Sequence, residues 1–138
     1  MKAAILDAFG PSIGLRVDDL PRPSIRDDQL LVEVLAAAVN PIDWKIGLGL
    51  MAARYGEQFP MVLGFDASGT VVEVGSAVQA FKPGDEVFAR SDVGPGGCYA
   101  EYAALNAATV AHKPAGLSHI DAAAMPLAAL TALNGLRD

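Results

Sequence analysis

The fold is decided by the stretch Gly64-Phe65-Asp66-Ala67-Ser68-Gly69-Thr70-Val71-Val72-Glu73-Val74-Gly75, followed shortly by Lys82-Pro83-Gly84-Asp85-Glu86-Val87. From Thr70 to Val74, polar and apolar residues partly alternate and three of the five are Val, which is typical of a half-buried strand. Gly69 would let the backbone approach a neighbour or take up a bulge. Pro83-Gly84-Asp85 predicts a turn, which leads into a short strand from Glu86 to Arg90. Two strands joined in this way predict a barrel-like β domain.

The spacing of these residues resembles a known motif. The string Pro60-x-x-x-Gly64-x-Asp66-x-Ser68-Gly69-x-Val71-x-x-Val74-Gly75, with Gly84-Asp85-x-Val87 after it, is similar to the central motif of the medium-chain dehydrogenase/reductase superfamily. Zinc alcohol dehydrogenases have Gly-His-Glu here, with the His on catalytic zinc, whereas this chain has Gly64-Phe65-Asp66, and Phe cannot bind a metal. The resemblance therefore favours the zinc-free quinone oxidoreductase and enoyl reductase branch. It implies a mainly β fold with minor α, a GroES-like and partly open barrel, and no bound metal.

Composition narrows the class of function. A chain of 138 residues is one domain by size and can bury about two thirds of its unfolded surface. The net charge of −6, without a run of Lys or Arg, argues against a nucleic-acid partner. No span approaches the ~18 uninterrupted apolar residues of a membrane helix, so we expect no membrane partner. The single Cys98 excludes an internal disulfide, and no signal-peptide pattern is visible. We therefore expect a cytoplasmic protein.

Residue types that bind metals or act as nucleophiles are sparse. His112 and His119 are seven apart, which is not a known metal-ligand spacing, and we expect both on the surface. Cys98 has Gly, Tyr and Ala as neighbours and no base nearby in sequence, so it is predicted to be a small buried residue. The four-Cys lobe of zinc alcohol dehydrogenases has no counterpart in this sequence.

Further strands are predicted on both sides of the central stretch. The segment from Gln29 to Val39 is dense in Leu, Val and Ala, which predicts a strand largely buried on both faces. By resemblance, Thr109-Val110-Ala111 forms the edge that closes the barrel. The other candidates are Met1 to Phe9, Leu15 to Leu20, and Cys98 to Ala103.

The segment Asn40-Pro41-Ile42-Asp43-Trp44-Lys45 has two interpretations. From the residues alone it is a capped turn, in which Asn40 or Asp43 accepts backbone N–H bonds at the start of a short helix. In zinc-free members of the superfamily, Asn-Pro-x-Asp stands where zinc members have the first zinc ligand, and the Asn faces the nicotinamide and the substrate. The resemblance therefore implies catalytic roles for Asn40, Asp43 and Lys45, and cofactor binding by Asn40.

Tyr55 is a further candidate. Ile46 to Phe59 contains three glycines and no stable period, which predicts a mobile loop at the mouth of a cleft. Enoyl reductases carry a proton-donating Tyr shortly after Asn-Pro-x-Asp, although that position falls near Met51 in this chain. Tyr55 is therefore either this proton donor or a packing residue of the loop.

The last part of the chain is predicted to be helical. Residues 1–117 would form the GroES-like catalytic domain, and residues 118–138 a connecting helix, capped by Ser118 and kinked at Pro126. The segment Pro126-Leu127-Ala128 to Ala132 resembles the superfamily's link to its cofactor domain, whose Thr lies close to the nicotinamide. Thr131 is the matching residue and the second candidate for cofactor binding. The alternative is a Thr packed on a helix face.

The sequence lacks the Gly-x-Gly-x-x-Gly signature of a dinucleotide-binding Rossmann domain. We therefore expect the catalytic domain of a longer, zinc-independent oxidoreductase, inactive alone, whose parent transfers hydride from NADPH. The resemblance implies a quinone or a conjugated carbonyl compound as the substrate, and a homo-oligomer. The alternative is a GroES-like module that binds a partner protein without catalysis, since fold alone does not determine function.

Overall fold

A computed structural model of the protein describes residues 1–12 and 14–137. Within them the fold is mainly β, with short helices between and after the strands. The strands are β1 Lys2–Leu6, β2 Leu15–Asp19, β3 Gln29–Ala38, β4 Met61–Val62, β5 Asp66–Val74, β6 Glu86–Arg90, β7 Tyr102–Asn106 and β8 Val110–His112. The helices are α1 Pro41–Gly47, α2 Ala52–Tyr55, α3 His119–Ala123 and α4 Pro126–Arg137, with a 3-10 turn over Ala107–Thr109.

The strands form two antiparallel sheets. One has the order β2-β1-β4, and the other has the order β7-β3-β5-β6-β8. The partly open, GroES-like fold is thus confirmed. The prediction that Thr109-Val110-Ala111 closes the barrel is wrong, because β8 pairs with β6 at one edge while β7 lies at the other edge of the same sheet.

The central strand β5 joins two hydrophobic clusters. Ala67 and Val71 pack with residues of β3, β6 and β7 in the larger cluster, and Phe65, which precedes β5, packs with Leu6, Ile46, Met61 and Leu63 in the smaller one. Asp66, which stands between Phe65 and Ala67 in the sequence, is fully buried. Cys98 is buried as predicted, and burial raises the pKa of its thiol to about 12.

Gly69 lets β3 and β5 approach closely. A Cβ atom there would lie 1.9 Å from the carbonyl oxygen of Glu33, next to the register shift between Val34 and Ala36. Only a residue without a side chain fits this position. The predicted close backbone approach is therefore confirmed.

Several element boundaries differ from the sequence prediction. In β3 only the first four residues are fully buried, because its second half alternates between exposed and half-buried positions. Within the predicted loop from Ile46 to Phe59, residues 52–55 form α2. The predicted kinked helix is two helices, α3 and α4, because Pro126 lacks an N–H and starts α4 as a first-turn residue.

Among the helices described over residues 1–12 and 14–137, none combines the length and apolar character needed to cross a bilayer.

Candidate functional site

The turn after β3 places Asn40 and Asp43 at the start of α1. Asn40 is the N-cap residue in an extended conformation, and Pro41 occupies the first helical position. The backbone N–H of Asn40 donates to Oδ2 of Asp43 at 2.7 Å, and the two residues form a capping box. The capped turn is therefore confirmed. Both residues are buried, so the polar groups of this turn depend on protein partners.

Asn40 also contacts Asp66, the first residue of β5. Its side-chain Nδ2 donates to Oδ2 of Asp66 at 3.0 Å. Ala38, two residues before Asn40, is the strand partner of Asp66, so β3 and β5 bring the two residues together. Asp66 is also bonded to the start of α4, because the backbone N–H of Leu127 donates to both carboxylate oxygens at 3.1 Å. One buried carboxylate thus joins three elements.

Several opposing effects act on the pKa of Asp66, and burial is the largest of them. Burial raises the pKa of Asp66 above its usual value, while the hydrogen bonds from Asn40 and Leu127 act in the opposite direction. The charge of Asp43 adds to the increase in pKa, and that of Arg90 reduces it. An ionised carboxylate only accepts hydrogen bonds, which fixes Nδ2 of Asn40 as the donor.

Tyr99 completes the network on the side of Asp43. Its hydroxyl group donates to Oδ2 of Asp43 at 2.8 Å and lies 3.4 Å from the carbonyl oxygen of Ala38. Burial and the hydrogen bond to Asp43 raise the pKa of Tyr99, so the phenol remains a proton donor at neutral pH. The other oxygen of Asp43, Oδ1, is buried and has no hydrogen-bond partner within the described residues.

The remaining candidates, which are Thr131, Tyr55 and Lys45, make other contacts. Thr131 is exposed on α4, one turn after Leu127, and its Oγ1 donates to the carbonyl oxygen of Leu127 at 2.7 Å. Tyr55 is half-buried, with its ring against that of Phe65 at a centroid distance of 5.8 Å. Lys45 is exposed, and its ammonium lies 5.8 Å from the ring centroid of Trp44. The structure therefore joins Asn40 to Asp43, and links Thr131 to them through Leu127 and Asp66.

Three polar residues, of which Asp66 is fully buried and Tyr99 and His119 are half-buried, are not singled out by the sequence analysis. Asp66 and Tyr99 were assigned only to the family motif and to a strand, although an acid at the start of an apolar strand is an available signal. His119, predicted to lie on the surface, is half-buried, because α3 packs against β5 and β6. Its Nδ1 lies 2.8 Å from Oγ of Ser68, and its Nε2 lies 3.2 Å from Oε1 of Glu86. His112 is exposed, as expected.

A largely apolar groove of about 570 Å³ runs between β6, β8 and the start of α4. Arg90 and Thr109 are its polar lining residues, and Met125, Pro126 and Leu130 contribute from the helix side. Arg90 also lies over the ring of Phe65, with 5.5 Å between the guanidinium carbon and the ring centroid. The groove thus adjoins the site at both Phe65 and the start of α4.

Across residues 1–12 and 14–137, no group of three or more His, Cys, Asp or Glu side chains is arranged to hold a metal ion. The absence of metal from the protein stays a prediction, which metal analysis of the purified protein can test.

Comparison with known proteins identifies one family and several oxidoreductase relatives. Residues 26–115 match the family described as "Alcohol dehydrogenase GroES-like domain". The chain is 45% identical over 143 residues to the "2-methylene-furan-3-one reductase" of Solanum lycopersicum, covering 99% of this chain and 37% of that protein. The names of other relatives place them in chloroplasts or mitochondria. The chain spans 37–39% of the length of these curated relatives.

Solved structures show the same likeness. The quinone oxidoreductase of Coxiella burnetii matches with a TM-score of 0.93 and 40% sequence identity, covering 99% of this chain and 44% of that one. The Escherichia coli quinone oxidoreductase, solved in complex with NADPH, matches with a TM-score of 0.88 and 30% identity, covering all of this chain and 41% of that one.

Proposed function

This chain belongs to the alcohol dehydrogenase GroES-like domain family, and we propose that it forms the substrate-side domain of a zinc-independent, NADPH-dependent oxidoreductase. The observation that carries the proposal is the carboxylate of Asp66. It binds both the Asn40 turn and the start of the helix with Thr131, so it links the two candidates for cofactor binding. Solved relatives include quinone oxidoreductases, one of them in complex with NADPH.

The described residues fit the nicotinamide end of such a cofactor. Oδ1 of Asp43 is a buried acceptor without a hydrogen-bond partner among residues 1–12 and 14–137, and buried polar atoms of this kind are uncommon unless a ligand or water binds them. We assign Asn40 and Thr131 to positioning the ring, and Asp43 to holding the turn. When bound, NADPH supplies the hydride, and such a transfer depends on positioning more than on acid strength.

Two further residues have proposed roles on the substrate side. Tyr55 packs on Phe65, beside the Asn40 turn, and is a candidate proton donor to the reduced substrate. Lys45 is free to reach a ligand because its side chain is exposed. Both roles are hypotheses that single substitutions can test.

The substrate that we propose is a quinone or a conjugated carbonyl compound. The name of the Solanum lycopersicum relative specifies a furanone with an exocyclic methylene group, in which a double bond is conjugated with a carbonyl group. Such compounds and quinones are both electron-poor at carbon or oxygen and accept hydride. The mostly apolar groove beside Arg90 is compatible with a planar, weakly polar molecule.

We further propose that residues 1–138 do not catalyse this reaction alone. The chain spans about two fifths of its curated relatives, and its sequence lacks a glycine-rich loop for the cofactor's phosphates. A cofactor-binding domain outside these residues would supply those contacts. The cytoplasmic location stays a prediction, because the names of relatives place them in chloroplasts and mitochondria. The homo-oligomer also stays a prediction.

The test compares two polypeptides with NADPH and a simple quinone. One is residues 1–138, and the other is the longest polypeptide that the gene encodes. We expect turnover only by the longer polypeptide, because phosphate contacts supply most of the binding free energy for the cofactor. Robust turnover by residues 1–138 would overturn the two-domain proposal. If neither polypeptide oxidises NADPH, the oxidoreductase proposal fails and a partner-binding module becomes the better explanation.

A further inference from the structure

We propose that Asp66 is a positioning residue, which orients the side-chain amide of Asn40 and fixes the start of α4 relative to it through one shared carboxylate. The inference rests on the proposed function, since it concerns how the nicotinamide-facing residues are held. Asp66 is fully buried and therefore acts through its neighbours and does not itself contact a ligand.

The first argument is geometric. Oδ2 of Asp66 accepts from Nδ2 of Asn40 at 3.0 Å and from the N–H of Leu127 at 3.1 Å, and Oδ1 also accepts from Leu127 at 3.1 Å. A rotation of the Asn40 amide would place its carbonyl oxygen against the carboxylate, which repels it. The carboxylate therefore selects one of the two amide orientations.

The second argument concerns α4. Its first N–H groups have no partners within the helix, and Asp66 supplies an acceptor to the N–H of Leu127. The negative charge also lies at the positive end of the helix dipole. Thr131 is four residues further on, about 6 Å along the axis at 1.5 Å per residue. Its position relative to Asn40 thus depends on the same carboxylate.

The third argument is the cost of the arrangement. An ionised carboxylate among apolar residues is unfavourable unless hydrogen bonds compensate it, and Phe65 and Ala67 beside Asp66 are both buried hydrophobic residues. A neutral residue would be easier to accommodate in this place. One acceptor nevertheless serves both site elements at once, which supports a positioning role.

The informative substitution is Asp66→Asn, which is nearly isosteric. The new amide has only one carbonyl oxygen. At the Oδ1 position this oxygen accepts from Leu127 while the new NH2 group faces the NH2 group of Asn40, and at the Oδ2 position the new NH2 group faces the N–H of Leu127. Either orientation sets two donors against each other and disturbs the link between Asn40 and α4, while the fold loses little because a buried charge is removed as well. The double variant Asn40→Asp with Asp66→Asn reverses donor and acceptor and restores the bond.

Val71→Ala is the matched control. Val71 is on the same strand, five residues from Asp66, or about 17 Å at ~3.3 Å per residue. It is buried in the larger cluster, so its truncation lowers stability without touching the Asn40 turn.

The experiment has a kinetic arm and a spectroscopic arm. In the longest encoded polypeptide, we expect Asp66→Asn to lower kcat at least about 10-fold, with KM for NADPH changed less than about 3-fold, because misplacement affects the transition state most. Val71→Ala should keep kcat within about twofold. In residues 1–138, nuclear magnetic resonance should show shifted side-chain amide signals of Asn40 in Asp66→Asn but not in Val71→Ala. The swapped pair should restore thermal stability relative to Asn40→Asp alone.

Either arm can overturn the proposal. A kcat of Asp66→Asn within twofold of the wild type, or an equal loss in Val71→Ala, contradicts a positioning role. If the wild type has no turnover at all, the proposed function fails, and the spectroscopic arm then decides separately whether Asp66 orients Asn40. Unchanged Asn40 signals in Asp66→Asn would refute that.

Discussion

The side-chain amide of Asn40 donates a hydrogen bond to the buried carboxylate of Asp66 at 3.0 Å, and this bond connects the turn after β3 with the first residue of β5. The same carboxylate accepts the backbone N–H of Leu127 at the start of α4. The site is therefore built by the central strand of the larger sheet and not by a surface loop, which favours precise positioning.

The raised pKa of Asp66 predicts a pH-dependent effect of Asp66→Asn on stability. Because burial raises the pKa above the usual value of 3.8, the folded state binds the proton of Asp66 more tightly than the unfolded state does. The stability that this provides is present below pH 3.8 and is lost as pH rises through the raised pKa. The side chain introduced by Asp66→Asn does not titrate, so the variant does not lose this stability. The free energy of unfolding of Asp66→Asn, minus that of the wild type, should therefore increase as pH rises. Urea unfolding of both proteins between about pH 4 and pH 7 measures this difference. A constant or falling difference would contradict the assignment.

Tyr99→Phe should destabilise the protein. The substitution removes the hydroxyl that donates to Asp43 at 2.8 Å and leaves a buried carboxylate with one partner fewer. Losing one partner of a buried charged group costs about 1 to 3 kcal/mol in the free energy of unfolding. The matched control is Tyr102→Phe, because the ring of Tyr102 is stacked on Arg22 at 3.6 Å and Phe keeps that ring. Equal effects of the two substitutions in urea unfolding would show that the Tyr99 hydroxyl is unimportant.

Gly69→Ala should disrupt the pairing of β3 with β5. The added Cβ would lie 1.9 Å from the carbonyl oxygen of Glu33, and since that atom belongs to the backbone the strands themselves must move apart. We expect a loss of about 3 kcal/mol or more in the free energy of unfolding. Gly116→Ala is the control, because the corresponding Cβ meets open space and its effect should stay within about 0.5 kcal/mol. Thermal unfolding of the two variants tests this, and similar melting temperatures would contradict it.

The parts of the fold that sequence predicted well are those set by local pattern. The strand from Glu86 to Arg90 has the predicted bounds, because a Pro-Gly-Asp turn fixes its start and alternation marks its faces. The long strand starting at Gln29 was also found. Its second half was predicted to be buried on both faces, but apolar content alone does not reveal that Leu35 is 55% exposed. Burial there depends on which elements cover the sheet.

For a related reason, the sequence predicts only the turn of the candidate site and not the residues that contact it from other strands. The Asn40-Pro41-Ile42-Asp43 turn carries its own capping chemistry and family likeness, so it was identified directly. Asp66 and Tyr99 act on it across 26 and 56 residues of sequence, and no local pattern shows such pairings. The partial burial of His119 is also hidden from local pattern, because its partners Ser68 and Glu86 are 51 and 33 residues away in sequence. Contacts of this kind are determined by the register of the strands, which no local sequence pattern specifies.

The most direct test of the central claim is the turnover number of Asn40→Ala in the longest encoded polypeptide, measured as NADPH oxidation with a simple quinone. Asn106→Ala is the matched control, because Asn106 also makes side-chain hydrogen bonds but pairs with Gln29 at the opposite end of β3. If Asn40 positions the nicotinamide, its kcat should fall at least about 10-fold while that of Asn106→Ala stays within about twofold of the wild type. Unaltered turnover of Asn40→Ala, in an otherwise active enzyme, would contradict the account and remove this residue from the site.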